Sequence, residues 1–184
     1  MSPLPPGLPV PEDDGAADGL EGRALPALAL ASTAGGSVDL AEAARGLLVL
    51  YVYPRTAAAG ERIPAAWDRI PGARGCTAEN CAFRDHAGEL AALGAAVHGL
   101  SAQPIGEQRE LAERERIPYP LLNDAGLQLA RQLGLPTFEF GGRRLYRRLT
   151  LIARAGRVEK AFYPVFPPDA HPGEVVAWLA GRAG

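Results

Sequence analysis

One run of seven residues constrains this chain more than any other. Leu47-Leu-Val-Leu-Tyr-Val-Tyr53 carries no charge and is rich in β-branched and aromatic side chains. It does not alternate apolar with polar, so it predicts a central strand covered on both faces, as parallel sheets require. Pro54 closes it. Ala95-Ala-Val-His-Gly-Leu100 predicts a second strand, with a helix before it over Thr77–Leu93, where apolar residues at 83, 87, 90 and 93 keep helical spacing.

The flanking pattern completes an α/β reading. Residues 24–38 contain two extended pieces around Gly35-Gly36, the pattern of a hairpin. Asp39 is placed to cap a short helix over Leu40–Arg45, which Gly46 ends. Further on, the expected elements are a helix over Gly106–Arg116, a short extended piece over Pro120–Asn123 and a helix over Ala125–Leu133 ended by Gly134. A hairpin follows from Arg148–Ala153 into Val158–Tyr163, with a closing helix over Gly173–Ala180. Leu135-Pro136-Thr137 reads as a strand entry after a helix. Strands alternating with helices and ending in a hairpin predict a mixed sheet flanked by helices.

The 184 residues suit one domain, residues 23–184. Residues 1–22, rich in Pro, Gly and acid, are expected as a flexible or loosely docked tail. Residues 55–75 form a long connection punctuated by Pro and Gly, and so long a loop in a compact domain is usually functional. The formal charge of -2 argues against a nucleic-acid footprint. No apolar run approaches the length of a membrane span. The N-terminus has neither the basic start nor the apolar stretch of a signal peptide, so a cytoplasmic location is expected. In that reducing compartment a permanent disulfide is disfavoured and a catalytic or metal role for cysteine gains weight.

Both cysteines fall in Gly72-Ala-Arg-Gly-Cys-Thr-Ala-Glu-Asn-Cys-Ala-Phe-Arg-Asp85. Cys76 stands at an expected helix start, where free N–H groups and the dipole favour a thiolate and Arg74 is near enough to add positive charge. Cys81 is five residues on, about 7.5 Å along a helix and about 140° around it. A disulfide needs Cα atoms within about 7 Å and converging Cβ vectors. A static staple is therefore excluded, and pairing requires the first turns to unwind. Zinc would want closer ligand spacing, and His86, another five residues along, shares no helix face with both cysteines, which argues against a metal site. The C-x-x-C of thioredoxin-type oxidoreductases is absent. Buried small hydrophobes and reactive thiols remain as readings, and the glycine-flanked helix start favours reactivity.

These stretches resemble the peroxiredoxins, in particular the bacterioferritin comigratory protein or peroxiredoxin Q group. Val49-Leu-Tyr-Val-Tyr-Pro54 is similar to the strand leading into that family's active-site loop. Gly75-Cys-Thr77 with Cys81 and Phe83-Arg-Asp85 is similar to its peroxidatic helix. Gly99-Leu-Ser101, Pro120-Leu-Leu-Asn-Asp124, Arg148-Leu-Thr-Leu-Ile152 and Gly156-Arg-Val158 follow in the family's order, over about residues 24–180.

The resemblance implies a thioredoxin-like fold with an added N-terminal hairpin. It also implies a peroxidase acting on hydrogen peroxide or organic hydroperoxides without metal or organic cofactor. Cys76 would be the peroxidatic thiolate, Cys81 the resolving thiol within the same helix, and a dithiol such as thioredoxin the reductant. Arg148 matches the arginine beside the reacting sulfur, and Glu79 a position that orients that network. Monomers and dimers both fit. One departure stands out. The family pattern Pro-x-x-x-Thr-x-x-Cys has Ala73 at its threonine and Arg69 at its proline, with residues 55–72 resembling an insertion. Thr56 and Thr77 are the candidates for the missing hydroxyl. That departure supports an alternative, a redox-sensing or interaction module with weak peroxidase activity. A one-cysteine peroxidase with Cys81 as a bystander is a third possibility.

Overall fold

The apolar run forms the middle of the molecule. In the computed structural model, which describes residues 4–182, strand β3 spans Leu47–Val52 and every residue in it is buried. Its side chains divide between two cores. Leu48, Leu50 and Val52 join one cluster; Leu47, Val49, Tyr51 and, just beyond the strand, Tyr53 join the other. This is the two-faced burial that a continuous apolar strand demands.

The elements follow in chain order: β1 (Ala29–Ser32), β2 (Ser37–Asp39), α1 (Leu40–Ala43), β3, α2 (Ala65–Asp68), α3 (Cys76–Asp85), α4 (Ala87–Ala92), β4 (Ala95–Ser101), α5 (Ile105–Glu115), β5 (Leu121–Asn123), α6 (Gln128–Leu133), β6 (Thr137–Phe140), β7 (Arg143–Tyr146), β8 (Leu149–Arg154), β9 (Arg157–Phe162) and α7 (His171–Ala180). Seven strands make one sheet in the order β2-β1-β5-β4-β3-β8-β9. Strand β3 runs parallel to β4 and antiparallel to β8, so the sheet is mixed. Leu40, Ala44, Leu129 and Leu133 cover one face; Phe83, Leu90, Leu111, Val175 and Leu179 cover the other. Asp39 caps α1 as expected, accepting from the Glu42 N–H.

The structure departs from the sequence reading in three places. The helix expected over Thr77–Leu93 is two helices. They break at His86, whose φ of -90° and ψ of 2° leave the helical region. The break lets Phe83 of α3 and Leu90 of α4 both reach the same core. Second, β6 and β7 form a hairpin that the sequence reading passed over. Its signal was present: Gly141-Gly142, both at positive φ, follow Phe138 and Phe140 at alternate positions. Third, the connection over 55–75 is folded. Trp67 of α2 is 3% exposed and meets Phe138 and Phe140 at ring-centroid distances of 5.9 and 5.0 Å. Insertion and hairpin thus share a small core with Ala73 and Leu145.

The tail expected over 1–22 lies along the body where it is described. Leu20 is buried in a main core cluster, Tyr163 Oη donates to Asp14 Oδ1 at 2.9 Å, and Glu21 pairs with Lys160 at 3.1 Å. Residues 1–3 of that tail, and residues 183–184 at the other end, lie outside the described residues.

Candidate active site

Helix α3 begins beside the end of β3, so its first residue faces the loop that leaves the central strand. Gly75 makes this start possible. It takes φ 99°, a conformation that L side chains avoid, and a Cβ there would lie 2.5 Å from Pro168 and 2.9 Å from Leu4. Cys76 follows as the first helical residue and is 3% exposed.

Arg148, just before β8, organises the surroundings of the sulfur. It is buried, and its Nη2 donates to Cys76 Sγ at 3.1 Å. Its Nε donates to the Gly72 carbonyl at 3.2 Å, the same Nη2 also reaches the carbonyls of Ala73 and Arg74 at 3.4 and 3.3 Å, and Nη1 pairs with Glu79. The Arg55 backbone N–H also favours the thiolate. The thiol in turn donates to the Ala73 carbonyl at 3.4 Å. Ala73, at the position of the family's threonine, thus gives the site a carbonyl while its methyl group packs in the core with Trp67.

The electrostatics of this cluster set opposing forces on each group. Burial pushes the Cys76 thiol above its ordinary value and the Glu79 charge adds to that push, while Arg148 and the Arg55 N–H oppose it. Helix start and Arg74 were expected to lower this pKa; burial outweighs them, and Arg74 is engaged elsewhere, with Asp68 at 2.8 Å. Burial lifts the Glu79 carboxyl to about 7 against the pull of Arg148. Among the described residues neither Glu79 Oε1 nor the Tyr53 hydroxyl, both buried, has a hydrogen-bond partner, and burial and the Cys76 charge push the Tyr53 pKa up.

A cavity of about 280 Å³ opens beside Cys76. Thr56, Thr77, Arg55 and Arg74 line it on the polar side, and Ile63, Trp67, Leu4 and Pro5 supply apolar walls. Thr56 therefore reaches the cavity, yet its hydroxyl donates to Gln103 Oε1 at 3.1 Å. Gln103 also accepts from the Thr56 N–H at 2.7 Å and donates to its carbonyl at 2.9 Å, pairing with that peptide as a neighbouring strand would. This clamp fixes the loop that carries Arg55 beside the site.

Cys81 is on the same helix in different company. It is buried, and its thiol donates to Glu115 Oε2 at 3.4 Å. Burial and the Glu115 carboxylate push its pKa to about 11. Both cysteines are free thiols. The structure thus brings Cys76, Glu79 and Arg148 together, puts Thr56 and Thr77 at the cavity, and keeps Cys81 apart. His86 pairs with Glu89, and among the described residues no group of three or more potential metal ligands is gathered. His171 is buried between Phe83 and Phe162 and bonded to Thr150. Sequence reasoning missed Arg55, Gln103 and Leu4. For the first two the available signal was position, since both follow the carboxyl ends of parallel strands, where α/β sheets place their sites.

The AhpC/TSA family profile matches residues 22–161. The chain belongs to the AhpC/TSA family. Within it, the relatives of this AhpC/TSA chain are peroxiredoxins of the Q and bacterioferritin comigratory protein group. Chloroplastic peroxiredoxin Q of Gentiana triflora is 30% identical over 162 residues, which is 86% of this chain and 66% of that protein. A putative peroxiredoxin of Mycobacterium tuberculosis is 38% identical over 112 residues, 60% of this chain and 73% of that one. The chain thus spans just under two thirds of the length of the plant relatives it matches. Among solved structures, peroxidoxin BcpB of Mycobacterium tuberculosis superposes with a TM-score of 0.70 at 30% identity, covering 88% of this chain and 96% of that one. A mutant of Xylella fastidiosa PrxQ gives a TM-score of 0.72 at 19% identity, covering 89% and 97%, a likeness of fold. The AhpC/TSA chain therefore has the thioredoxin-like fold, a mixed sheet flanked by helices.

Proposed function

We propose that the protein is a thiol-dependent peroxidase that reduces hydrogen peroxide and organic hydroperoxides. The observation that carries this reading is the Arg148 guanidinium, 3.1 Å from the sulfur of a cysteine at a helix start, beside a cavity. In this reading the Cys76 thiolate attacks the nearer oxygen of ROOH. The S–O bond forms, the O–O bond breaks, and the leaving alkoxide takes up a proton as ROH. Arg148 favours both the thiolate and the charge growing on the leaving oxygen. Cys76 is then a sulfenic acid. Its hydroxyl leaves as water when the Cys81 sulfur attacks, closing a disulfide. That closure requires the first turns of α3 to unwind, since the two positions stand on different faces of one helix. A dithiol such as thioredoxin, itself oxidised to a disulfide, restores both thiols by exchange.

The rest of the reading follows from the same features. The catalytic domain is residues 23–184, with 55–75 as an insertion beside the site. Thiol chemistry of this kind uses no metal or organic cofactor, and the protein works as a monomer or dimer. Among the described residues no helix is long and apolar enough to cross a membrane. A cytoplasmic location is proposed. A second reading, a redox sensor with slow peroxide chemistry, draws on one observation: burial lifts the Cys76 thiol above its ordinary value.

Intact mass after one equivalent of peroxide tests the route. Loss of two hydrogens from the reduced protein supports the Cys76–Cys81 disulfide, and gain of one or more oxygens excludes it. Cys76→Ser should abolish peroxide consumption. Cys81→Ser should allow one turnover and stop recycling by thioredoxin. Reduced protein that consumes peroxide no faster than free cysteine would remove the peroxidase reading and leave the sensor.

A further inference from the structure

We propose that residues 4–11 form a strap that walls one side of the Cys76 cavity and limits the size of the electrophile that reaches the sulfur, with Leu4 as the limiting side chain. Leu4 and Pro5 line the cavity together with the insertion residues Ile63 and Trp67. Leu4 also bears on the start of the peroxidatic helix, its Cδ2 lying 2.9 Å from where a Gly75 Cβ would be. The other end of the strap, Pro11, packs over Gly72 and lines a crevice with Arg148 and Pro54. One short segment therefore touches both ends of the loop, residues 72–75, that delivers Cys76.

The chemistry of the segment suits a strap. Pro5, Pro6, Pro9 and Pro11 fix φ at four of its eight positions before it docks, which lowers the entropy lost on docking, and the one turn, at Pro6-Gly7, falls where Gly7 takes φ 75°. Its attachment beyond Pro11 is firm: Asp14 bonds Tyr163 and Leu20 is 2% exposed in the core. Residues 4–11 themselves enter neither a strand nor a helix and lie outside the main core clusters, so they can be removed without opening the body. Hydrogen peroxide is far smaller than a cavity of about 280 Å³. The wall thus acts on the substituent of an organic hydroperoxide, not on the O–O group. As a statement about peroxide selectivity the proposal rests on the peroxidase reading; as a statement about access to Cys76 it does not.

Two variants test it, Leu4→Ala and a chain lacking residues 1–11. The first readout is the ratio of kcat/KM for cumene hydroperoxide to that for hydrogen peroxide. It should rise at least about threefold in both variants, a modest share of what one side chain in an apolar pocket can discriminate. The second readout needs no peroxide. In a Cys81→Ser background, alkylation of Cys76 by pyrenyl maleimide should accelerate more than alkylation by iodoacetamide. If the shortened chain fails to fold, Leu4→Ala carries both readouts. Peroxide consumption with neither ratio moved overturns the strap and leaves the peroxidase intact. A protein without peroxidase activity whose alkylation ratio still rises keeps the strap and removes the peroxidase.

Discussion

Cys76 and Cys81 occupy one helix, are both buried, and live in opposite fields. At Cys76 a guanidinium donates to the sulfur and, together with the Arg55 backbone N–H, opposes the cost of burying its charge. At Cys81 the partner is the Glu115 carboxylate, which adds to that cost and lifts the thiol to about 11. Five residues of helix, about 140° of rotation, separate a site built to receive negative charge from one that excludes it. The comparison teaches that the helix assigns the two roles by where each face points. In the proposed reading Cys76 acts as nucleophile first, and Cys81 follows only after leaving Glu115, which the unwinding of α3 would bring about.

The sharpest way to break this asymmetry is to remove its cation. Arg148→Met should lower the second-order rate with peroxide by about 10²–10³-fold, the usual loss when a donor to developing charge is deleted. It should also cost about 3–5 kcal/mol of stability, because Glu79 is left buried and unpaired. Adding Glu79→Gln to Arg148→Met should recover part of the denaturant midpoint and none of the rate. A stably folded Arg148→Met protein that keeps more than a tenth of the rate would show that the guanidinium is not the group stabilising the thiolate.

Glu79→Gln alone probes the same side more gently. The folded carboxyl titrates at about 7 and its ordinary value is 4.5. Between those values the folded state holds a proton that the unfolded chain has released. Stability from this group is therefore present below about 4.5 and is lost as pH rises through about 7. Glutamine should flatten that part of the Tm–pH curve. The same change removes a negative charge that pushes the Cys76 thiol up, so the rise of peroxide rate with pH should move to lower pH. A pH–rate curve unchanged in position would mean that the Glu79 charge has no part in setting the thiol, leaving burial against Arg148.

Much of this was legible because it is written in local patterns. The central strand needs only seven apolar residues in a row, and the helix start needs Gly75 before Cys76. Arg148 and Glu79 came from the resemblance, since several arginines near 143–148 look alike in sequence. The structure singles out Arg148 because it precedes β8, the antiparallel neighbour of β3, and so lies beside the helix that leaves β3's loop. What stayed illegible depends on contacts between distant segments. The sign of the Cys76 shift needed its burial, and the engagement of Arg74 needed the fold of the insertion that carries Asp68. Thr56 illustrates the limit: sequence placed a hydroxyl near the site, and only the fold showed Gln103 taking it.

The smallest expected effect lies on the other face. Glu115→Gln, made in a Cys76→Ser background, removes the charge beside Cys81 and keeps the shape and an acceptor oxygen. Glu115 also holds Arg114 Nε at 3.0 Å, while its backbone carbonyl, which the change leaves in place, takes Arg84 Nη1 at 2.7 Å. Packing at Cys81 should therefore survive. Because Cys81 is 2% exposed, its alkylation rate at any single pH reports opening of the helix as well as ionisation. The informative quantity is the midpoint of the rate–pH curve, which should fall below that of the parent, each unit of fall being about tenfold more thiolate at neutral pH. With Cys76 present, the same substitution should then speed disulfide closure after peroxide, since the resolving thiol gives up its proton more readily. A midpoint that does not move would assign the high value to burial alone, and the contrast between the two faces of α3 would rest on Arg148 rather than on a matched pair of opposite charges.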